Sequence, residues 1–439
     1  MWNLSLYAVT WNVGEKYPYF ITLNDLLDVH STSKHEHLPD IYIVGLQEVS
    51  ARPQNIITNL FKSDPWVQKL KELLHPHGYL VAKTEQMQGL LLTIFVKKKH
   101  LYHIREIESE YTRTGLGGMW GNKGGVVIRM TLYGCSVCIV NSHLAAHDEM
   151  VDERISDYLR IKEATTFSVK QTPNIYDHDY VFWMGDLNFR LYNEDSSNLS
   201  PEEIRNMVKK DQISELLKKD QLMLIMCEGR AFSELVERVP GFPPTFKFEV
   251  GTNDYDMKRR PAWCDRILYK AKHKVLKNCS LQLEQIGYKS HPSYMISDHK
   301  PVSSAFQIQA PEDDVSNMVV KFKPFTIWNN SEDNEVEYIL PPNFVDGSAD
   351  WIGIYPEDYS GFDEYLGYEY TETHGDKAYS TARTVKIEFS ASIDLPLKGK
   401  FVFLYFQSTG LRGYSSMLGT SDPFTVVKRC PTPRPDDID

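Results

Sequence analysis

Long apolar runs are missing from this 439-residue chain, and no stretch approaches the roughly 18 uninterrupted apolar residues of a membrane span. The opening residues, Met1 to Ser5, lack the basic and then apolar pattern of a secretory signal. Cysteine is sparse. Six residues (Cys135, Cys138, Cys227, Cys264, Cys279 and Cys430) are too scattered for a disulfide framework, which predicts reduced thiols and a cytoplasmic chain. Cys135-Ser136-Val137-Cys138 has CxxC spacing, but in a strand-like run positions three apart face opposite sides, so both read as structural. No CaaX ending follows Cys430, so prenylation is not predicted there. Positive charge is also short: the net charge is −11 and no broad basic stripe exists, so nucleic acid is not an expected partner. Any anionic ligand must be met by a local basic patch and a bound cation.

What is present fits a globular protein, with 42% hydrophobic and 24% charged residues and a length that calls for two domains. Over residues 3–308, apolar strand-like runs alternate with amphipathic stretches. Strands are expected at Leu4–Val9, Ile41–Leu46, Leu91–Val96, Gly125–Met130, Cys138–Val140 and Tyr180–Trp183, and helices over about 55–75, 148–168 and 201–219. The last helix opens Ser200-Pro201-Glu202-Glu203, a cap followed by proline and acids. The α/β pattern ends at Ala310, where Pro311-Glu312-Asp313-Asp314 begins an acidic linker over 311–317. Residues 318–430 alternate as an all-β sandwich would, with runs such as Val319–Lys323, Val385–Phe389 and Phe401–Phe406. The tail, 431–439, is rich in proline and aspartate, which predicts disorder.

Chemistry-bearing residues cluster directly after the apolar runs: Thr10-Trp11-Asn12, Gln47-Glu48, Asn141-Ser142-His143, Gly185-Asp186-Leu187-Asn188, Trp263-Cys264-Asp265-Arg266 and Ser297-Asp298-His299. One such cluster reads as a turn. Six of them, rich in amides, carboxylates and histidines, read as a site at one edge of a layered α/β scaffold. The residue types suit cation-assisted hydrolysis of a phosphate ester. Mg²⁺ prefers oxygen ligands, with Glu48 the first choice, and no Cys/His set suggests zinc. Asp186 is placed to orient or deprotonate water beside Asn188, and His143 and His299 to donate to phosphate. No Cys-x5-Arg loop supports a cysteinyl-phosphate route.

With these residues assembled, the chain resembles the inositol polyphosphate 5-phosphatase family, within the endonuclease/exonuclease/phosphatase fold. The run Trp183-Met184-Gly185-Asp186-Leu187-Asn188-Phe189-Arg190 matches the family's WxGDxN(F/Y)R. Arg259-Arg260-Pro261-Ala262-Trp263-Cys264-Asp265-Arg266-Ile267-Leu268 matches its RxP(S/A)W(C/T)DR(I/V)L. Support comes from Gly121–Val126, the NSHLAAH run and Ser297–Val302. Behind them, Asp350-Trp351-Ile352-Gly353-Ile354-Tyr355-Pro356 resembles the SKICH module, which points to the skeletal-muscle- and kidney-enriched subgroup.

The resemblance implies a four-layer α/β sandwich over 1–310 followed by an immunoglobulin-like β-domain. It implies Glu48 as the Mg²⁺ ligand with Asn12 and Asp298 near the metal or the attacking water. Asp186 with Asn188 would activate water, His143 and His299 would contact the scissile phosphate, and Asp265 would orient His299. The substrates would be PtdIns(4,5)P₂ and PtdIns(3,4,5)P₃, and soluble inositol polyphosphates besides. Lys123, Arg190, Lys258 and Arg259 would meet ring phosphates. Tyr255–Arg260 is shorter than the family's usual basic loop, so Tyr288 and Lys289 are second candidates for that contact. Peripheral recruitment to the endoplasmic reticulum or plasma membrane is implied, with a protein partner through the β-domain. Gly115–Trp120 reads either as a bilayer-dipping loop or as a core segment, and Lys97–His100 as an anionic-lipid contact or a solvated strand end. A nuclease or a sphingomyelinase-like enzyme of the same fold is the alternative.

Overall fold

The structure, a computed structural model, describes residues 1–29, 38–49, 64–115, 120–192, 199–276, 279–312, 319–372, 379–410 and 413–428. The chain divides into two compact units, Met1–His100 with Ile107–Glu312, and Leu101–Glu106 with Asp313–Asp439.

In the first unit the elements run β1 (Trp2–Asn12), α1 (Asn24–Leu27), β2 (Ile41–Gln47), α2 (Pro65–Leu74), β3 (Tyr79–Met87), β4 (Leu90–Lys97), β5 (Ile104–Thr114), β6 (Trp120–Leu132), β7 (Cys135–His143) and α3 (Val151–Ala164). There follow β8 (Tyr180–Asp186), α4 (Pro201–Lys209), α5 (Ile213–Leu217), α6 (Gln221–Cys227), β9 (Asp265–Ala271), the short pair β10 (Val275–Leu276) and β11 (Cys279–Ser280), β12 (Leu283–Ser290) and β13 (Val302–Ala310). One sheet has the order β12-β13-β1-β2-β4-β3; the other brings together β5-β6-β7-β8-β9. Every residue of β2, β7 and β8 is buried, as in strands covered on both faces. The sheets pack face to face, with Phe182 of β8 edge-on to Phe306 of β13 at 5.0 Å.

Helix α2 covers the first sheet, where Trp66 packs on Trp11 at 5.4 Å. On the second sheet, Tyr158 and Ile161 of α3 and Leu222 and Ile225 of α6 share a core with Val140 and Trp183. The result is a helix–sheet–sheet–helix sandwich. Gly45 explains how closely the sheets approach: a Cβ there would lie 2.8 Å from the Asn141 side chain. Across that seam Gln47 Nε2 donates to Asn141 Oδ1 at 2.6 Å, and Asn141 Nδ2 donates to the carbonyls of Leu46 and Leu91.

The expected helices are shorter. Helix α2 starts at Pro65, where the Asp64 side chain accepts from Trp66 N; residues 50–63 lie outside the described residues. Helix α3 starts only at Val151, with Met150 as its non-helical N-cap, and ends at Ala164. The stretch 201–219 is two helices, parted where Asp211 turns left-handed (φ 56°) and Gln212 N reaches back to Met207 O. Its predicted start holds: Ser200 and Glu203 form a reciprocal capping box.

The second unit has no α-helix among the described residues. Its strands are β14 (Lys321–Phe322), β15 (Ile327–Asn330), β16 (Asn334–Leu340), β17 (Trp351–Pro356), β18 (Gly367–Tyr370), β19 (Arg383–Phe389), β20 (Phe401–Ser408), β21 (Ser415–Thr420) and β22 (Thr425–Lys428). Sheet β14-β16-β19 and the run β18-β17-β20-β21 enclose Trp328, Phe389, Phe403 and Phe424, while β15 pairs in parallel with β22. Much of the expected linker (313–318) and the tail (431–439) lie outside the described residues. None of the described helices is long and apolar enough to cross a membrane.

Candidate active site

Strand pairing assembles the site. β1 and β2 run parallel with Asn12 beside Gln47, and β7 and β8 run parallel with His143 beside Asp186. β9 joins antiparallel with Asp265 opposite Asp186. Of the polar residues expected after the strands, Asn12, His143 and Asp186 are the last residues of their strands, whereas Glu48 follows β2, Asp265 opens β9, and Asp298 and His299 precede β13. Gly185 makes the β7–β8 approach possible: with φ 144°, a Cβ there would lie 1.9 Å from Ser142 O.

Asp186 is the hub. Its Oδ2 accepts from Asn12 Nδ2 at 3.0 Å and lies 3.2 Å from His143 Nε2 and 3.7 Å from His299 Nε2. Its Oδ1 accepts from the backbone N–H of Asn188, which sits in the left-handed region (φ 57°) that asparagine tolerates. Burial alone would raise the Asp186 pKa. His299, His143 and Lys123 outweigh it and hold the carboxyl well below its usual range.

His299 is fixed from both sides. Its Nδ1 lies 2.9 Å from Asp265 Oδ2, which also accepts from Thr245 Oγ1 at 2.7 Å. The ring packs against Phe246 at 4.6 Å, and the His299 carbonyl accepts from Trp11 Nε1 at 3.1 Å. Burial would lower its pKa, but Asp265 and Asp186 push it up to about 9. His143 goes the other way. Burial and the contacting Lys123 ammonium lower its pKa against the pull of Asp186 and Glu48. Two histidines in one site are thus shifted in opposite directions by their neighbours.

The cleft holds about 300 Å³ and is lined by Glu48, Lys123, His143, Asp186, Asn188, Arg190, Arg259, Asp298 and His299 from the sequence reading. Ala146, His147, Asp148, Phe246 and Lys247 complete it. Arg190 Nη2 donates to Asn188 Oδ1 at 2.6 Å and stacks 4.4 Å over Phe246. Lys247 Nζ lies 3.4 Å from Asp298 Oδ2. Phe246 and Lys247 went unnoticed in the sequence. Thr245–Glu249 reads there as one more alternating strand, and only the long-range bridges of Phe246 to Ala262 and His299 bring it to the cleft.

Three expected contacts do not line the cleft. Tyr288 packs behind the site: its hydroxyl donates to Glu237 Oε1 at 2.7 Å and accepts from Ile267 N, and its ring meets Phe242. The next residue of the strand, Lys289, is exposed and pairs in register with Ser303 away from the cleft. Lys258 is exposed on a turn closed by Asp256, which sends Arg259, not Lys258, to the cleft. Arg260 turns aside as well, donating to Leu191 O at 2.7 Å. Residues 116–119 of the glycine-rich loop lie outside the described residues. Cys135 and Cys138 are buried free thiols, as expected of structural residues.

The donor set can be tested for a cation. Glu48 accepts from Asn12 Nδ2 at 3.0 Å, and its side chain is 44% exposed toward the cleft. Asp298 adds a second cleft-facing carboxylate, so oxygen donors are available for a hard cation. Asn12 stands differently: its Oδ1 accepts from Gly14 N, and its amide nitrogen clamps Glu48 and Asp186. Ligand atoms of Asp186, Asp265 and His299 also lie within 4.8 Å of one another. We read that trio as a histidine held between two carboxylates, because its Nδ1 is already committed to Asp265.

Residues 9–305 match the Endonuclease/Exonuclease/phosphatase family 2, and residues 320–426 match the SKICH domain. The fold and site thus define an endonuclease/exonuclease/phosphatase-type hydrolase carrying a SKICH domain. The chain is 34% identical over 97% of its length to inositol polyphosphate 5-phosphatase K of Mus musculus, of which it spans 90%. It is 33% identical over 95% of its length to phosphatidylinositol 4,5-bisphosphate 5-phosphatase A of Homo sapiens, of which it spans only 41%. Among solved structures, the 5-phosphatase domain of SPsynaptojanin, in complex with inositol (1,4)-bisphosphate and calcium ion, aligns with 70% of this chain and 86% of its own. Its TM-score is 0.59 at 32% identity. The chain belongs to the inositol polyphosphate 5-phosphatase family, a family of phosphoric monoester hydrolases.

Proposed function

We propose that the protein removes the 5-phosphate from PtdIns(4,5)P₂ and PtdIns(3,4,5)P₃, and from soluble inositol polyphosphates, in a Mg²⁺-dependent reaction. The observation that carries this reading is Asp186 standing 3.7 Å from the Asp265-held His299, in one cleft that also presents Lys123, Arg190, Lys247 and Arg259. An acceptor, a donor and several cations in about 300 Å³ suit a phosphorylated ring better than an extended nucleic-acid strand.

Glu48 and Asp298, with Asn12 beside them, would hold Mg²⁺. When bound, the cation would withdraw charge from the phosphate oxygens. Asp186, fixed by Asn12 and His143, accepts the proton of the attacking water, and Asn188 keeps its carboxylate turned toward the cleft. His299 donates from Nε2 to the phosphate, its ring oriented by Asp265 at Nδ1. His143 and Lys123 contact the same phosphate, while Arg190 and Arg259 meet its neighbours on the ring. The enzyme works peripherally on the cytoplasmic face of the plasma membrane or endoplasmic reticulum, with the SKICH unit engaging a protein partner.

The test is phosphate release from short-chain PtdIns(4,5)P₂ and PtdIns(3,4,5)P₃ with Mg²⁺ and with EDTA. Metal-dependent release leaving PtdIns4P and PtdIns(3,4)P₂ is expected. Release of a different isomer, or undiminished release in EDTA, contradicts the proposal.

A further inference from the structure

Beyond the cleft, the most exposed large apolar side chain among the described residues of the first unit is Phe20, 99% accessible, beside Tyr19 at 63%. Seven successive uncharged residues, Tyr17-Pro18-Tyr19-Phe20-Ile21-Thr22-Leu23, form the loop that carries them. A single exposed aromatic needs no explanation, but this loop is held in place. Trp66 Nε1 donates to Lys16 O at 3.0 Å on entry, and Tyr294 OH donates to Thr22 O at 3.0 Å on exit. Both anchors pack edge-on against Trp11, at 5.4 and 5.5 Å, and Tyr17 stacks parallel to Tyr19 at 5.4 Å. An anchored loop therefore holds Tyr19 and Phe20 in solvent, where apolar surface costs free energy unless something covers it.

The loop leaves the end of β1 next to the site. Gly14 N donates to Asn12 Oδ1, and Glu15 N donates to Glu48 O at 2.8 Å. Four residues lie between Glu15 and Phe20, so the tip lies within about 18 Å of Glu15, whose N–H is bonded to Glu48. β1 and β2 are parallel, and their following loops leave on the same edge as the cleft. We propose that the Tyr17–Ile21 loop is a membrane-docking element that inserts Phe20, flanked by Tyr19, into the bilayer surface holding the substrate. The inference rests on the lipid reading of the cleft. A lipid surface fits better than a protein groove, because the tip is apolar, two tyrosines with amphipathic rings precede it in the loop, and the exposed Lys16 stands at the loop's entry.

The test compares full-length wild type with Tyr19→Ser/Phe20→Ser and with Phe20→Trp, all outside the cleft. Binding is read by co-sedimentation with phosphatidylcholine vesicles containing PtdIns(4,5)P₂, and hydrolysis on those vesicles and on monomeric short-chain PtdIns(4,5)P₂. The double variant is expected to lose about tenfold or more in vesicle binding and vesicle turnover, the effect of withdrawing one buried aromatic. Its turnover of monomeric substrate should stay unchanged, and Phe20→Trp should bind vesicles as wild type does. Undiminished co-sedimentation of the double variant, or an equal loss on monomeric substrate, overturns the proposal. If wild type hydrolyses neither substrate, the lipid reading of the cleft fails, while the co-sedimentation comparison still decides whether the loop docks.

Discussion

Asn12, at the end of one sheet, donates its side-chain amide to Asp186 at the end of the other, 3.0 Å away and 174 residues later in the chain. The same nitrogen lies 3.0 Å from Glu48. The cleft is thus built across the seam of the sandwich, with one neutral donor separating two carboxylates that would otherwise repel.

Asn12→Asp should damage this arrangement more than Asn12→Ala. A third carboxylate beside Glu48 and Asp186 forces one of the three to take a proton, because like charges this close disfavour joint ionisation. We expect kcat to fall about 10²-fold or more, with the folded protein intact, since Asn12 lies at a strand end. A turnover within about threefold of wild type would remove the amide from the mechanism.

Much of this site is legible because parallel strands end together: a polar residue after each apolar run marks one sheet edge, which picks out Asn12, Glu48, His143 and Asp186, while His299 stands ahead of β13 and is marked only by the Ser297–Val302 motif. The charge states were not legible, because they depend on which groups surround each histidine rather than on the sequence next to it. Lys247 was hidden in an alternating run, and Tyr288 looked available because a tyrosine beside a lysine gives no sign of which face of the strand it occupies. The break between α4 and α5 falls where Asp211 takes a left-handed conformation, which an aspartate in sequence does not announce.

His299 and its partner offer a graded test. His299→Ala and Asp186→Ala should each lose about 10²–10⁴ in kcat, the range for a positioned acid or base. Asp265→Asn keeps the size of the side chain and the Thr245 contact but removes the charge facing Nδ1. It should lower kcat by less than His299→Ala and leave KM near the wild-type value. A rise in KM with kcat unchanged would instead assign Asp265 to substrate binding.

Tyr288 should separate stability from catalysis. Arg266 is fully buried, bonded through Nη1 to Asp220 at 2.9 Å and through Nη2 to Glu237 at 2.5 Å, and Tyr288 OH caps Glu237 at 2.7 Å. Tyr288→Phe should cost about 1 kcal/mol in denaturant unfolding and leave kcat and KM unchanged. Arg266→Met leaves two buried carboxylates without their cation and should cost about 3–5 kcal/mol. Should Tyr288→Phe raise KM severalfold, the hydroxyl would belong with the substrate contacts after all.

Stability should also depend on pH through a histidine far from the chemistry. His178 is buried: its Nε2 accepts from Arg129 Nε at 3.3 Å, and its Nδ1–H faces the carbonyls of Asn174 and Ile175, both at 3.1 Å. Burial and the Arg129 charge push its pKa down to about 4, while the unfolded chain titrates at the ordinary 6.5. Between those values the unfolded state binds more protons than the native state, so stability rises with pH in that window. The contribution is complete above about pH 6.5 and is lost as pH falls toward 4, with an upper limit of about 3 kcal/mol. His291, lowered to about 4 by burial and Lys289, adds a second loss of the same sign. His178→Gln, which keeps an acceptor for Arg129, should therefore flatten the decline of Tm between pH 6.5 and 4.5 without abolishing it. Parallel Tm profiles for variant and wild type would show that His178 titrates alike in both states and contributes nothing to acid sensitivity.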